Sequence, residues 1–376
     1  MLIGVGVMIA IAGIVTASYF YMNRVFHAYK VEQERERKDS NGVTYQTFQN
    51  QLLKYSKDGI SLVNDKGEDV WNGGYEMENP DVQTAGDYVL VTDIGAKQFY
   101  RYGGDEKKGE DSGEIHVETD YPIGRARVTS SGDVVVLLQD TDSNVITVYR
   151  VEDGEARVRV EIPTNVSDNG YPLDYDLSPD GESMVVSYME VKGSQIETKL
   201  CFYNFSKVGQ DQNNMMGGES LGNTMVGGIH YLDSDRVLVL GEKGFFIYSN
   251  MKQPKKVVSE SFKEVIASAD FREDHLVLVT GKDDQKEGKT LHLYNARGKL
   301  QKETPITFSY EEMIVCDREI LFKDRQECRI MRMNGKLKAS FDFGRDIDAF
   351  LPAWKDDQYY LMDSSTIKRI RISENA

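Results

Sequence analysis

What most constrains this chain is a loose repeat, beginning near Thr44, with a period of roughly 30–50 residues, the spacing of propellers and solenoids. Its unit reads as four short strands joined by turns. The clearest copy covers residues 228–232, 236–240, 244–249 and 255–259, with Asp233-Ser234-Asp235 and Gly241-Glu242-Lys243 turning between them. Short apolar or alternating segments bounded by Gly, Asp and Asn are strand signatures, and no helical period is found beyond residue 43. The inner pair of the unit recurs at 87–92 with 97–102, 133–139 with 144–150, 182–188 with 198–205, 274–280 with 289–296, and 318–322 with 327–333. Six full repeats between Val82 and Asp346, one more over 44–78 and a shorter one over 347–373 give eight units, or seven if the two ends share a blade. The expected class is therefore all-β, a β-propeller of eight blades, since closing such sheets into a ring removes exposed edges. Thr44 to Phe48 is available to supply the fourth strand of the short last unit and tie the ends together.

Residues 2–22 contain no Asp, Glu, Lys or Arg, and as a helix they would span roughly 30 Å, the hydrocarbon thickness of a bilayer. The run exceeds the roughly 7–15 residues of a signal-peptide core, no Lys or Arg precedes it, and Ala17-Ser18-Tyr19 leads into further apolar residues. It is read as a retained transmembrane anchor, with Tyr19, Tyr21 and Phe26 as an interfacial aromatic belt and Arg24 just beyond. Gly13 and Ala17 have the spacing of a close helix contact, a spacing common in membrane spans. Residues 23–38 hold good helix formers without Gly or Pro, Glu34 and Lys38 lie one turn apart, and Asp39-Ser40-Asn41-Gly42 is a stop signal, so a short helical stalk is expected. The expected domains are the anchor over 1–23, the stalk over 24–43 and the propeller over 44–376, so that removing residues 1–40 leaves a folded domain.

The net charge of −16 and a pI near 4.9 exclude a nucleic-acid partner, because phosphate binding needs a basic patch. Cys201, Cys316 and Cys328 lie in apolar strand contexts and read as buried thiols, with Cys316 and Cys328 on neighbouring strands and able to pair if opposed. Gly218-Glu219-Ser220-Leu221-Gly222 matches a nucleophile elbow in spacing, but it lies in a polar stretch with no apolar helix after it. Asp140, Asp142 and Asn144 alternate as calcium ligands do, yet Val145 and Val151 stand where the loop needs Gly and an acid, so a hairpin turn is expected. His27, His116, His230, His275 and His292 have no ligand spacing, and Trp71 and Trp354 are too few for a tryptophan-rich blade pattern. No catalytic, cofactor-binding or metal-binding residues and no cofactor are assigned.

Ser178-Pro179-Asp180-Gly181, between residues 173–177 and 184–188, is similar to blade turns of TolB-like and WD-repeat propellers. Residues 53–60, Val70-Trp71-Asn72 with 75–80, Gly170-Tyr171-Pro172-Leu173, and 202–205 with Val208-Gly209-Gln210 resemble a family of single-span membrane-anchored propellers of anaerobic Gram-positive bacteria, classed as a domain of unknown function. The resemblance covers nearly the whole chain and supplies no catalytic residues. Its members begin with a basic tail that this chain lacks. Arg24, Lys30, Arg35, Arg37 and Lys38 after the span argue literally for a cytoplasmic propeller, while the interleaved Glu32, Glu34, Glu36 and Asp39 make that stretch nearly neutral. The resemblance implies the opposite side, and the expected address is the cell membrane, single-pass, with the propeller extracytoplasmic. The expected function is a tethered binding or scaffold module for a protein, peptide or envelope glycan. The alternative is an envelope hydrolase or lyase whose carboxylates converge at the propeller channel, which a pocket with paired carboxylates about 5–10 Å apart would favour.

Overall fold

The computed structural model describes Gly13 and residues 24–39, 42–104, 113–141, 143–272, 275–282 and 288–374. The expected anchor lies outside these residues apart from Gly13, and among the described residues no helix is long and apolar enough to cross a membrane. The fold is an eight-bladed, all-β propeller: eight sheets of four antiparallel strands each. Seven blades are four consecutive strands in simple order, covering 44–74, 80–118, 123–165, 171–222, 226–261, 266–306 and 312–342. They are called blades one to seven.

The chain divides into two compact units, 39–266 with 296–298, and 1–38 with 267–295 and 299–376. In the first, the second strands of blades two, three and five carry continuous apolar runs, as a strand covered on both faces does. Val89-Leu90-Val91, Val134-Val135-Val136 and Val237-Leu238-Val239 are fully buried for this reason. Third strands carry a Tyr opposite the start of the second strand: Tyr102 across from Val89, Tyr149 from Val134, Tyr203 from Met184 and Tyr248 from Val237. The core is divided between blades, as where Val135, Leu137, Ile146 and Val148 of blade three meet Tyr175, Leu177, Met184 and Val186 of blade four. The second unit repeats the scheme: Val277, Val279, Leu291 and Leu293 of blade six pack on Val315, Ile320 and Phe322 of blade seven.

Blade eight departs from the sequence reading. Its inner strands are Ala349–Pro352, Gln358–Met362 and Thr366–Ser373, and its outermost strand is Ala28–Glu36. That strand runs antiparallel to Thr366–Ser373 from Ala28 opposite Ser373 to Glu36 opposite Thr366, with a bulge between Val31 and Gln33. The expected helical stalk is thus a strand, and Thr44–Phe48 is the inner strand of blade one, paired with Gln51–Ser56, not the closing strand. Helix propensity is a weak bias of a few tenths of a kcal/mol per residue, and tertiary pairing overrides it. Here the pairing is charge-complementary: Glu32 accepts from Arg371 and stands 3.7 Å from Arg369, and Glu34 lies 3.1 Å from Lys368. It is also apolar, since Tyr29 meets the Phe341 ring edge-on at 5.6 Å, and Phe26 packs into the Phe341–Phe350–Tyr359 cluster instead of an interfacial belt.

Cys201, Cys316 and Cys328 are free thiols. Cys316 and Cys328 are not opposed: the Cys316 N–H bonds to the Glu319 carbonyl, whereas Cys328 stands across from Lys323, at the other end of the same strand.

Candidate functional site

Blade four carries a hairpin that outgrows its sheet. Its second and third strands, Ser183–Lys192 and Gln195–Asn204, pair at every one of their positions, whereas the inner strand stops at Tyr171 opposite Met189 and the outer strand at Gly222 opposite Thr198. Residues 190–197 therefore project beyond both neighbours. The turn is Gly193-Ser194, with Gly193 at φ 65°, a conformation a tight two-residue hairpin needs and a side chain would strain. Strand alternation then sorts the tip into two faces. Val191 and Ile196 oppose each other on one face, 67% and 48% exposed. Glu190, Lys192 and Glu197 share the other, where the Lys192 ammonium lies 3.0 Å from Glu190 and 2.8 Å from Glu197. In blade five the corresponding turn is only Gly241 to Gly244.

Beside this hairpin, where residues 223–224 leave blade four for blade five, lies a cleft of about 340 Å³ lined by Thr224, Glu242, Lys243, Phe246, Glu260 and Phe262. Its walls are fixed by backbone bonds, from the Phe262 N–H to the Lys243 carbonyl at 2.7 Å and from the Glu242 N–H to the Met225 carbonyl at 3.1 Å. The volume is at the lower end of ligand-binding clefts. Two phenyl rings with two carboxylates and an ammonium suit a peptide segment with apolar and charged side chains.

The inner strands of blades three, four and five assemble a dense charge cluster. Arg127 donates through Nη2 to both Asp174 oxygens, at 2.9 and 3.0 Å, and through Nη1 to the Ile229 carbonyl at 3.0 Å. Its Nη1 is 3.5 Å from His230 Nδ1 and 3.9 Å from Asp176. Arg125 also donates to Asp174, and the Ile229 N–H gives Asp174 a further bond at 2.7 Å. Burial acts to strip the Arg127 proton, but Asp176 and Asp174 outweigh it and hold the guanidinium charged. Burial raises the Asp176 carboxyl, although Arg127 opposes this. Asp176 accepts from Tyr231 N–H of the next blade at 2.7 Å and from the following Leu177 N–H at 3.0 Å. In the second unit Asp270 repeats this pattern, accepting from Val315 N–H at 3.0 Å and Phe271 N–H at 2.8 Å. These aspartates staple inner strands of neighbouring blades. Both oxygens of Asp174 are committed to guanidinium and amide donors, which gives it a structural role in joining the three strands.

Ser220 of the elbow-like motif lies inside the outer strand Met215–Gly222, opposite Lys199, so the required strand-to-helix turn is not formed there. Asp140 caps the expected hairpin turn, its N–H bonded to the Ser143 carbonyl at 2.9 Å; Asp142 lies outside the described residues, and Asn144 is a buried strand residue. Of the histidines, His230 joins the arginine–aspartate cluster, His292 bonds Thr280 at 2.8 Å, and His116 stacks on Tyr100 at 4.3 Å. Sequence reasoning missed the hairpin and the cleft. The one sequence trace of the hairpin is the length of the alternating stretch from Met184 to Phe202 about a central Gly-Ser.

A profile for the family of unknown function DUF5711 matches residues 22–372, and the chain belongs to that family. Among curated proteins nothing matches. Among solved structures, BamB from Moraxella catarrhalis is 8% identical with a TM-score of 0.54, over 92% of this chain and 100% of that one. Sqt1 from Chaetomium thermophilum is 9% identical with a TM-score of 0.54, over 92% and 100%. A eukaryotic initiation factor is 12% identical with a TM-score of 0.55, over 93% and 88%. At these identities the likeness is one of fold.

Proposed function

We propose that this DUF5711 protein is a membrane-tethered binding module, an eight-bladed propeller held at the extracytoplasmic face of the cell membrane by residues 2–22. It engages a protein partner through the blade-four hairpin and the cleft beside it. The observation that carries this reading is the pair Val191 and Ile196, opposed and exposed at the tip of a fully paired hairpin. Large aliphatic side chains held so far out of a fold gain nothing from it. Buried by a partner, each would contribute roughly 1.5–3 kcal/mol, enough for the pair to act as an anchor within a larger interface.

A photo-crosslinking amino acid at position 191 of the full chain in cells tests this, with mass spectrometry of the adducts and Val158, exposed on blade three, as the control position. One stoichiometric adduct, lost in V191D/I196D, is the expected result; an adduct pattern identical at 191 and 158 refutes it. Orientation is read by placing a cysteine at exposed Asp153 and labelling intact cells with an impermeant maleimide, where labelling only after lysis puts the propeller inside. Because Glu242 and Glu260 share one cleft, the second reading is an envelope hydrolase or lyase, and a glycan turnover lost in E242Q or E260Q would establish it.

A further inference from the structure

The propeller is fastened to its N-terminal chain almost from the point where the apolar run ends. The Arg24 carbonyl accepts from Arg332 at 3.0 Å, and its side chain pairs with Glu374. The Phe26 N–H and carbonyl bond Lys338 O at 2.9 Å and Ser340 N at 3.0 Å, and the closing strand starts at Ala28. Only Asn23 separates Met22 from the first of these attachments. On the reading that residues 2–22 span the membrane, on which this inference rests, no spacer lifts the propeller off the bilayer.

The part of the second unit that surrounds this entry point is defined by the same bonds. Lys338 reaches Asp357 at 2.7 Å, and the Asp357 carbonyl accepts from Ile372 N–H at 3.0 Å, one residue before Ser373, the partner of Ala28. The turn ending at Asp357 carries Trp354, 54% exposed, and exposed Lys355. Its Asp356 binds Arg318 of the first turn of blade seven at 2.9 Å, and exposed Lys336 lies two residues before Lys338. An exposed indole among long basic side chains is the composition of a membrane–water interface. The amphipathic ring sits at headgroup depth, and Lys and Arg extend their charges to the phosphates.

We infer that the turn rim of blades seven and eight, Trp354 with Lys336 and Lys355, lies against the lipid headgroups beside the anchor. The partner is the bilayer surface itself. The acids of this rim, Asp317, Asp356, Asp357 and Glu374, are each ion-paired, with Arg272, Arg318, Lys338 and Arg24 in turn, which leaves Lys336 and Lys355 to set the charge beside the indole.

The chain has two tryptophans, so the W71F protein reports on Trp354 alone. Full-length W71F is reconstituted into phosphatidylcholine vesicles with and without brominated acyl chains, and flotation is measured on the same samples. The expected result is flotation with the vesicles together with loss of Trp354 emission in brominated lipid. Flotation with Trp354 emission equal in the two lipids overturns the rim contact while leaving the anchor standing. Failure to float overturns the anchor and this inference with it. Should W71F not fold, the difference between the native and W354F proteins carries the same readout.

Discussion

Removing the outermost strand of blade eight should cost a large share of the propeller's stability. Two fragments isolate it: residues 24–376 keep Ala28–Glu36, and residues 40–376 lack it. Backbone hydrogen bonds of the ladder contribute about 1 kcal/mol each, roughly what ordering each residue of the strand costs, so the two nearly cancel. What remains is side-chain burial. Phe26 and Tyr29 each lose about 1–2 kcal/mol of apolar burial, and the edge-on Tyr29–Phe341 contact adds about 1 kcal/mol. Ile370 and Ile372, now buried, lose part of their cover, which brings the loss to about 4–6 kcal/mol. Against a total of about 5–15 kcal/mol this is a large share, and at about 2 °C per kcal/mol it lowers Tm by roughly 10 °C. Circular dichroism melts of the two fragments measure the difference, and a synthetic peptide of residues 24–39 should restore part of it in proportion to its concentration. If 40–376 melts within about 2 °C of 24–376, the strand does not hold the last blade and the closure argument fails.

Asp174→Ala leaves Arg127 buried beside an unpaired Ile229 N–H, and urea unfolding should show a loss of about 3–5 kcal/mol, with a loss under about 1 kcal/mol counting against the inter-blade staple. Burial raises the Asp363 carboxyl, but the N–H groups of Ser365 and Thr366 and their hydroxyls outweigh it and bring its pKa down to about 2. A carboxylate with a folded pKa below its ordinary 3.8 stabilises fully above that value and loses the contribution as pH falls toward about 2, so D363N should flatten the acid limb of a stability–pH curve in that window. Burial pushes the Cys316 thiol up to about 12 and raises Cys201 and Cys328 as well, so at neutral pH all three should react with a thiol reagent only on unfolding; fast native labelling of any one would contradict its placement.

The blades were legible because a strand covered on both faces must be apolar throughout, and runs such as Val134 to Leu138 leave no other reading. Ala28–Glu36 was hidden for the converse reason. It is an outer strand with one face in solvent, and its Lys-Val-Glu-Gln-Glu-Arg-Glu core lacks the apolar alternation that marks a strand locally. Its signal lay in the partner: Glu32 and Glu34 answer the basic Lys368, Arg369 and Arg371, a match visible only when the two strands are compared. The projecting hairpin was out of reach for another reason. Val191 and Ile196 look like any strand aliphatics until the neighbouring strands are seen to stop short of them. The inner-strand aspartates read as scattered acids, since each is satisfied by an amide about 45–55 residues away along the chain, one blade on in space.

The pairing of Ala28–Glu36 with Thr366–Ser373 also sets a schedule for biosynthesis. The first of these strands leaves the ribosome some 330 residues before the second. At roughly 5–20 residues per second the early strand waits on the order of 20–60 s with its hydrogen-bonding edge unsatisfied. During that interval blades one to seven can form in order behind it, but none of them offers it the basic Lys-Arg-Ile-Arg partner that its acids match. Mispairing in this window is therefore limited mainly to the same late strand of another nascent chain, so translation on crowded polysomes is where strand-swapped dimers of this propeller should arise.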